Sequence, residues 1–143
     1  MTSLGWGLIG GGEGSQIGPA HRLGARLDGY FKFTAGALDH RPEQGKKFGV
    51  ELGLAADRSY GSWQEMLAGE KNRKDRVDLV TVATPNNSHY EITKAFLSEG
   101  FHVLCEKPLT MTVEESVELA RLSEQTGAVC AVNYGYSGYS LVR

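Results

Sequence analysis

Five clusters in this chain carry groups suited to chemistry. Gly10–Gly18 reads GGGEGSQIG, a run whose backbone N–H groups can approach a pyrophosphate at the start of a helix. Asp39 closes an apolar run, where a carboxylate would bond the two hydroxyls of an adenosine ribose and repel a 2′-phosphate. The same residue also suits the start of the turn Asp39-His40-Arg41-Pro42. Thr84-Pro85-Asn86-Asn87-Ser88-His89 reads as a turn and cap ahead of a helix, and Glu106-Lys107-Pro108 sets a positive charge at the end of another apolar run. Asn133-Tyr134 ends the last such run. His21 and His89 have no partner at metal-ligand spacing, so they read as packing or helix-start histidines, and no metal site is expected.

These clusters need a frame that brings them to one edge. Five apolar runs, Leu4–Gly10, Phe31–Leu38, Val77–Ala83, Phe101–Cys105 and Ala128–Tyr134, are rich in Val, Leu and Phe and lack clean alternation. That pattern fits strands covered on both faces. Helical spacing fills the gaps, with capping boxes at Ser62-Trp63-Gln64-Glu65 and Thr112-Val113-Glu114-Glu115 and stop glycines at Gly100 and Gly127. Glu70–Arg76 reads as a solvated charged turn. Strand and helix in alternation give an α/β fold, a doubly wound parallel sheet with right-handed crossovers, helices on both faces and an expected strand order of 3-2-1-4-5. Ligands of such sheets bind at the carboxyl ends of the strands, where all five clusters fall. The literal G-x-G-x-x-G string, Gly5 to Gly10, lies inside the first strand and is set aside.

Composition narrows the function. A net charge of -2 excludes a basic nucleic-acid or polybasic membrane binder, and no apolar run is long enough to span a bilayer. Met1-Thr2-Ser3-Leu4 lacks the pattern of a secretory signal. The two cysteines, Cys105 and Cys130, sit in apolar runs and read as reduced buried thiols, so a cytoplasmic location is expected.

The chain resembles the Gfo/Idh/MocA oxidoreductases, the relatives of glucose–fructose oxidoreductase and inositol 2-dehydrogenase. The likeness rests on Leu8–Gly12, Ile17-Gly18-Pro19-Ala20-His21, Asp39–Glu43, Ala83–His89 and above all Gly100-Phe101-His102-Val103-Leu104-Cys105-Glu106-Lys107-Pro108-Leu109. It implies a Rossmann domain binding NAD, with NADP as the alternative. Gly10, Gly12 and Gly18 would form the phosphate loop, Asp39 would hold the adenosine ribose, and Thr84, Pro85, Asn86 and His89 would line the cofactor channel. Glu106 and Lys107 would stand beside the nicotinamide as the catalytic pair, Lys107 bonding the reacting oxygen. Ser15, Ile17, His40 and Asn133 complete the implied cofactor-binding set. A cis bond before Pro108 is also implied.

Two departures stand out. Glu13-Gly14-Ser15-Gln16 separates Gly12 from Ile17-Gly18, where the family commonly has one residue. The family also carries a second α/β domain that supplies an acid–base histidine, the rest of the substrate pocket and the usual oligomer surface, for which this sequence has no counterpart. Residues 1–134 therefore read as the nucleotide-binding domain and 135–143 as the start of a connection. The expected role is hydride transfer between nicotinamide and a hydroxyl-bearing carbon of a sugar, polyol or inositol-like substrate, in an enzyme that is a homo-oligomer at full length. A non-catalytic nucleotide-binding module and an adenosylmethionine-dependent methyltransferase are the alternatives; Glu106-Lys107-Pro108 argues against the latter.

Overall fold

The computed structural model describes residues 3–142; Met1, Thr2 and Arg143, which close the two expected segments, lie outside the described residues. Five parallel strands form one sheet: β1 (Leu4–Gly10), β2 (Phe31–Ala37), β3 (Leu79–Ala83), β4 (His102–Glu106) and β5 (Cys130–Asn133). Five α-helices connect them: α1 (Ile17–Leu27), α2 (Pro42–Glu51), α3 (Trp63–Glu70), α4 (His89–Ser98) and α5 (Val113–Thr126).

Successive residues of β1 feed two separate cores, as the two-residue period of a strand requires. Trp6 and Leu8 pack with Leu38, Ala25, Phe48 and Leu52 on the side of α1 and α2. Ile9 packs with Met66, Ile92, Phe96 and Leu119 on the side of α3, α4 and α5. Helices thus cover both faces, which explains the unbroken apolar runs. Within the first core the indole N–H of Trp6 donates to Thr81 Oγ1 at 2.8 Å, which satisfies this buried pair.

The expected strand order requires correction. The sheet runs β2-β1-β3-β4-β5, with β3 paired to β1 from Trp6↔Leu79 to Gly10↔Ala83. A strand outside β2 does exist in reduced form: Ser59 makes a single parallel bridge to Gly36, and the Tyr60 N–H donates to the Gly36 carbonyl at 2.8 Å. Ser62 then caps α3, so this strand ends after one bridge and leaves no apolar run in the sequence. The crossovers reverse direction between β1 and β3, and the crevice opens there.

The charged segment 70–76 also departs from expectation. Glu70 is fully buried. Its carboxylate accepts from Arg58 Nε and Nη2 at 3.0 and 2.6 Å, from Tyr60 Oη at 2.9 Å and from the Val77 N–H at 3.0 Å. Only the remainder of the segment is solvated turn.

Helix ends follow the sequence closely. Thr112 and Glu115 form the reciprocal capping box, and Gly127 ends α5 in the left-handed region at φ 70°. At α3 the box is half built: Ser62 accepts the Glu65 N–H, but the Glu65 carboxylate takes the N–H of Gly61 instead.

Candidate functional site

A cleft of about 680 Å³ opens at the carboxyl ends of β1, β2 and β3. The glycine loop forms its floor. Gly10 has φ 77°, and a β-carbon there would collide with the Ala83 carbonyl, so only glycine lets the loop leave β1 this close to β3. Arg22 of α1 supports the loop from behind, donating to the Gly11 carbonyl at 2.9 Å. At the N-terminus of α1 Gln16 adds no side-chain cap, the Gly18 N–H goes to Ser15 Oγ at 3.1 Å and Pro19 has no N–H, so of the first turn only the Ile17 amide is left to an outside acceptor.

Of the implied cofactor residues, Gly10, Gly12, Ser15, Asp39, His40, Thr84 and Pro85 line this cleft. The others stand elsewhere. Gly18 is buried beneath the loop against Gly11, and its N–H donates to Ser15 Oγ at 3.1 Å, so it braces the loop. Ile17 and Asn133 border a second hollow, of about 350 Å³, on the α1 face of the sheet. Asn86 is exposed at the first turn after Pro85 and is not among the lining residues.

His89 departs most clearly from its implied place. As the first residue of α4 it turns inward and is fully buried. Its Nδ1 lies 2.7 Å from the Pro108 carbonyl and its Nε2 lies 2.8 Å from the Thr84 carbonyl. It joins the loops after β3 and β4 from inside and presents no nitrogen to the cleft.

Glu106 is likewise engaged. Oε1 accepts from Asn133 Nδ2 at 2.6 Å and stands 2.8 Å from His21 Nε2, while Oε2 accepts the Lys107 N–H at 3.3 Å. The carboxylate is a tether between α1, β4 and β5, and His21 is its partner rather than a helix-start residue. Lys107 itself is exposed, and its peptide bond to Pro108 is cis, as the resemblance implied.

Beside the loop, where Gly12 packs on the chain just past β2, Asp39 is held by Arg41. The guanidinium forks onto the carboxylate, Nε to Oδ1 and Nη2 to Oδ2, both at 3.0 Å, and the Arg41 N–H adds a bond of 2.9 Å. These bonds, side chain first and backbone second, hold the Asp39 carboxyl down at about 2. A carboxylate has about four lone-pair sites and Arg41 fills three of them, so one acceptor site, on Oδ2, remains for a hydroxyl while the fork is in place. A glycine loop with a fixed carboxylate beside it fits the pyrophosphate and adenosine ribose of a dinucleotide.

Sequence reasoning missed the wall opposite the glycine loop. Ser62, Trp63 and Gln64 at the start of α3 line the cleft, and Ile92 lies at its base. The cap at Ser62 marked a helix start, but the one-bridge strand that carries it to the sheet edge left no pattern to read.

The model of an oxidoreductase family with an NAD-binding Rossmann fold matches residues 4–134. The chain belongs to the Gfo/Idh/MocA oxidoreductase family. Among its relatives in this family is the uncharacterized oxidoreductase YfiI of Bacillus subtilis, 48% identical over 140 residues, which cover 97% of this chain and 36% of that protein. The 1,5-anhydro-D-fructose reductase of Ensifer adhaerens is 33% identical over 132 residues, covering 90% of this chain and 35% of its own. A crystal structure of an inositol dehydrogenase homolog from Azotobacter vinelandii, complexed with NADH and myo-inositol, superposes with a TM-score of 0.95 at 42% identity, over 98% of this chain and 37% of that one. The chain thus spans little more than a third of the length of these Gfo/Idh/MocA relatives, and the matched part is the NAD-binding domain. Among the described residues no helix is long and apolar enough to cross a membrane.

Proposed function

We propose that this chain is the cofactor-binding part of an oxidoreductase that moves hydride between nicotinamide and a hydroxyl-bearing carbon of a sugar, polyol or inositol-like substrate. The cleft at the β1/β3 switch point carries this reading: it joins the glycine cradle ahead of α1 to the Asp39 carboxylate. The relatives named for an anhydro-sugar and for myo-inositol support the substrate class. Residues 1–134 form the cofactor domain in this reading, and 135–143 begin its connection to the substrate domain.

NAD, when bound, supplies the hydride acceptor. Amides of the glycine loop ahead of α1 bind the pyrophosphate, and Asp39 accepts from a ribose hydroxyl. Lys107, exposed at the end of β4, donates to the substrate oxygen and steadies the negative charge that develops there. Glu106, bonded to His21 and Asn133, holds the end of β4 in place and moves no proton.

Calorimetric titration of the 143-residue chain with NAD tests the first half of the proposal, and saturable binding is the expected result. The second half predicts no NADH formation by this chain alone with any of a panel of sugars and polyols, because half the substrate pocket lies outside it. Absence of NAD binding at millimolar concentration overturns the reading; turnover of about 1 per second or faster by the chain alone overturns the need for a second domain.

A further inference from the structure

The lengthened glycine loop carries an acid into what should be an anion site. Glu13 follows Gly12, and Gly12 packs directly on the end of β2: a β-carbon there would collide with the Leu38 carbonyl and lie 3.7 Å from the Asp39 β-carbon. The Ser15 N–H closes a turn onto the Gly12 carbonyl at 3.1 Å, with Gly14 at φ 77°, so that Glu13 stands exposed on the turn. It lines the same cleft as Asp39 and His40.

The charges at this end do not balance by Asp39 alone. The Arg41 fork cancels the Asp39 charge. His40 adds a ring nitrogen 3.2 Å from Asp39 Oδ1 on a largely exposed side chain. Among the described residues Glu13 has no cation within ion-pair distance. Arg41 is held above its ordinary range mainly by Asp39, with Glu13 adding to it, which puts Glu13 within electrostatic reach of the pair. Arg41 is half exposed and could turn from Asp39 to a phosphate, since a guanidinium forks onto either anion.

We propose that Glu13, carried by the lengthened loop, is the residue that makes this cleft discriminate against a dinucleotide bearing a 2′-phosphate. The inference rests on the dinucleotide reading above. With Asp39 neutralised by Arg41, the net negative charge that meets the 2′ position comes from Glu13. A 2′-phosphate brings between one and two further negative charges, and the Coulomb cost falls on it and not on a 2′-hydroxyl.

The test is the ratio of NADP to NAD dissociation constants, measured by calorimetry on the 143-residue chain at low and high salt. Glu13→Gln is expected to lower the ratio about fivefold at ~20 mM salt, and most of that difference should vanish at ~500 mM, where screening is strong. Glu13→Asp should keep the wild-type ratio. Arg41→Gln should raise it, because it uncovers the Asp39 charge. An unchanged ratio in Glu13→Gln, or a change that persists at high salt, overturns the proposal. If the wild-type chain binds neither dinucleotide, the dinucleotide reading itself fails and takes this inference with it.

Discussion

His21 Nε2 in α1 lies 2.8 Å from Glu106 Oε1 at the end of β4, although 85 residues separate them in the chain. The contact ties the helix behind the glycine loop to the strand that ends at Lys107. Asn133 of β5 bonds the same oxygen at 2.6 Å, so three elements meet on one carboxylate that is only 12% exposed. A hydrogen bond to a charged group is worth about 1.5–3 kcal/mol, so His21→Ala should lower the unfolding free energy by that order. The decisive measurement is a double-mutant cycle of His21→Ala with Glu106→Gln in urea. A coupling of at least about 0.5 kcal/mol is expected, and additive effects would show that the contact contributes nothing.

Lys107 is exposed, and among the described residues its ammonium has no hydrogen-bond or ion-pair partner, which leaves it for substrate in the proposed reading. Lys107→Ala should leave NAD affinity of the 143-residue chain within about threefold of wild type, because pyrophosphate and ribose contacts lie elsewhere. In a chimera joining residues 1–134 to the remaining length of the Bacillus relative, the same substitution should cut kcat about 100- to 1000-fold. Equal turnover in the two chimeras would reduce Lys107 to a surface charge.

Glu70 is the most consequential charge outside the cleft. It is fully buried, and Arg58, its partner, is 6% exposed. Glu70→Ala removes the buried partner of Arg58, which keeps only the exposed Asp75 carboxylate at 3.1 Å, and strips Tyr60 Oη and the Val77 N–H of their acceptor, so a loss of about 3 kcal/mol is expected in chemical denaturation. Glu65→Ala, at an exposed position that bonds only Gly61 and lies near Lys46, is the control and should cost less than about 1 kcal/mol.

Asp39 should leave a mark on the acid limb of stability. Its carboxyl is lowered to about 2 by Arg41, below the unfolded value of about 3.9. A depressed folded value stabilises the native chain above the unfolded value, and that contribution is lost as pH falls through the folded one. The gap in urea midpoint between wild type and Asp39→Asn should therefore be constant from neutral pH to about 5 and shrink between about 4 and 2. A gap independent of pH over that window would show that Asp39 is not ionised in the pair.

The sequence alone determined the layers of the fold. Near-continuous apolar runs could only be strands covered twice, and the caps at Thr112 and Gly127 are local bonds that any chain with those residues would make. The glycine loop and Asp39 were legible as cleft-lining residues because each sits where a run of strand residues stops; Lys107 also follows a strand but is not among the residues lining the cleft. What escaped the sequence depends on partners distant along the chain. Ser59 gives the outer strand a single bridge, so no periodicity announced it, and Trp63 and Gln64 reach the cleft only because that bridge carries α3 to the sheet edge. Glu70 looked like a solvated charge because its partners, Arg58 and Tyr60, come from another element. His89 and Glu106 carried the right chemistry for a site, but tertiary packing brought backbone carbonyls to one and His21 and Asn133 to the other. Residue type sets what a side chain can bond; only the folded chain decides which bonds are already made before a ligand arrives.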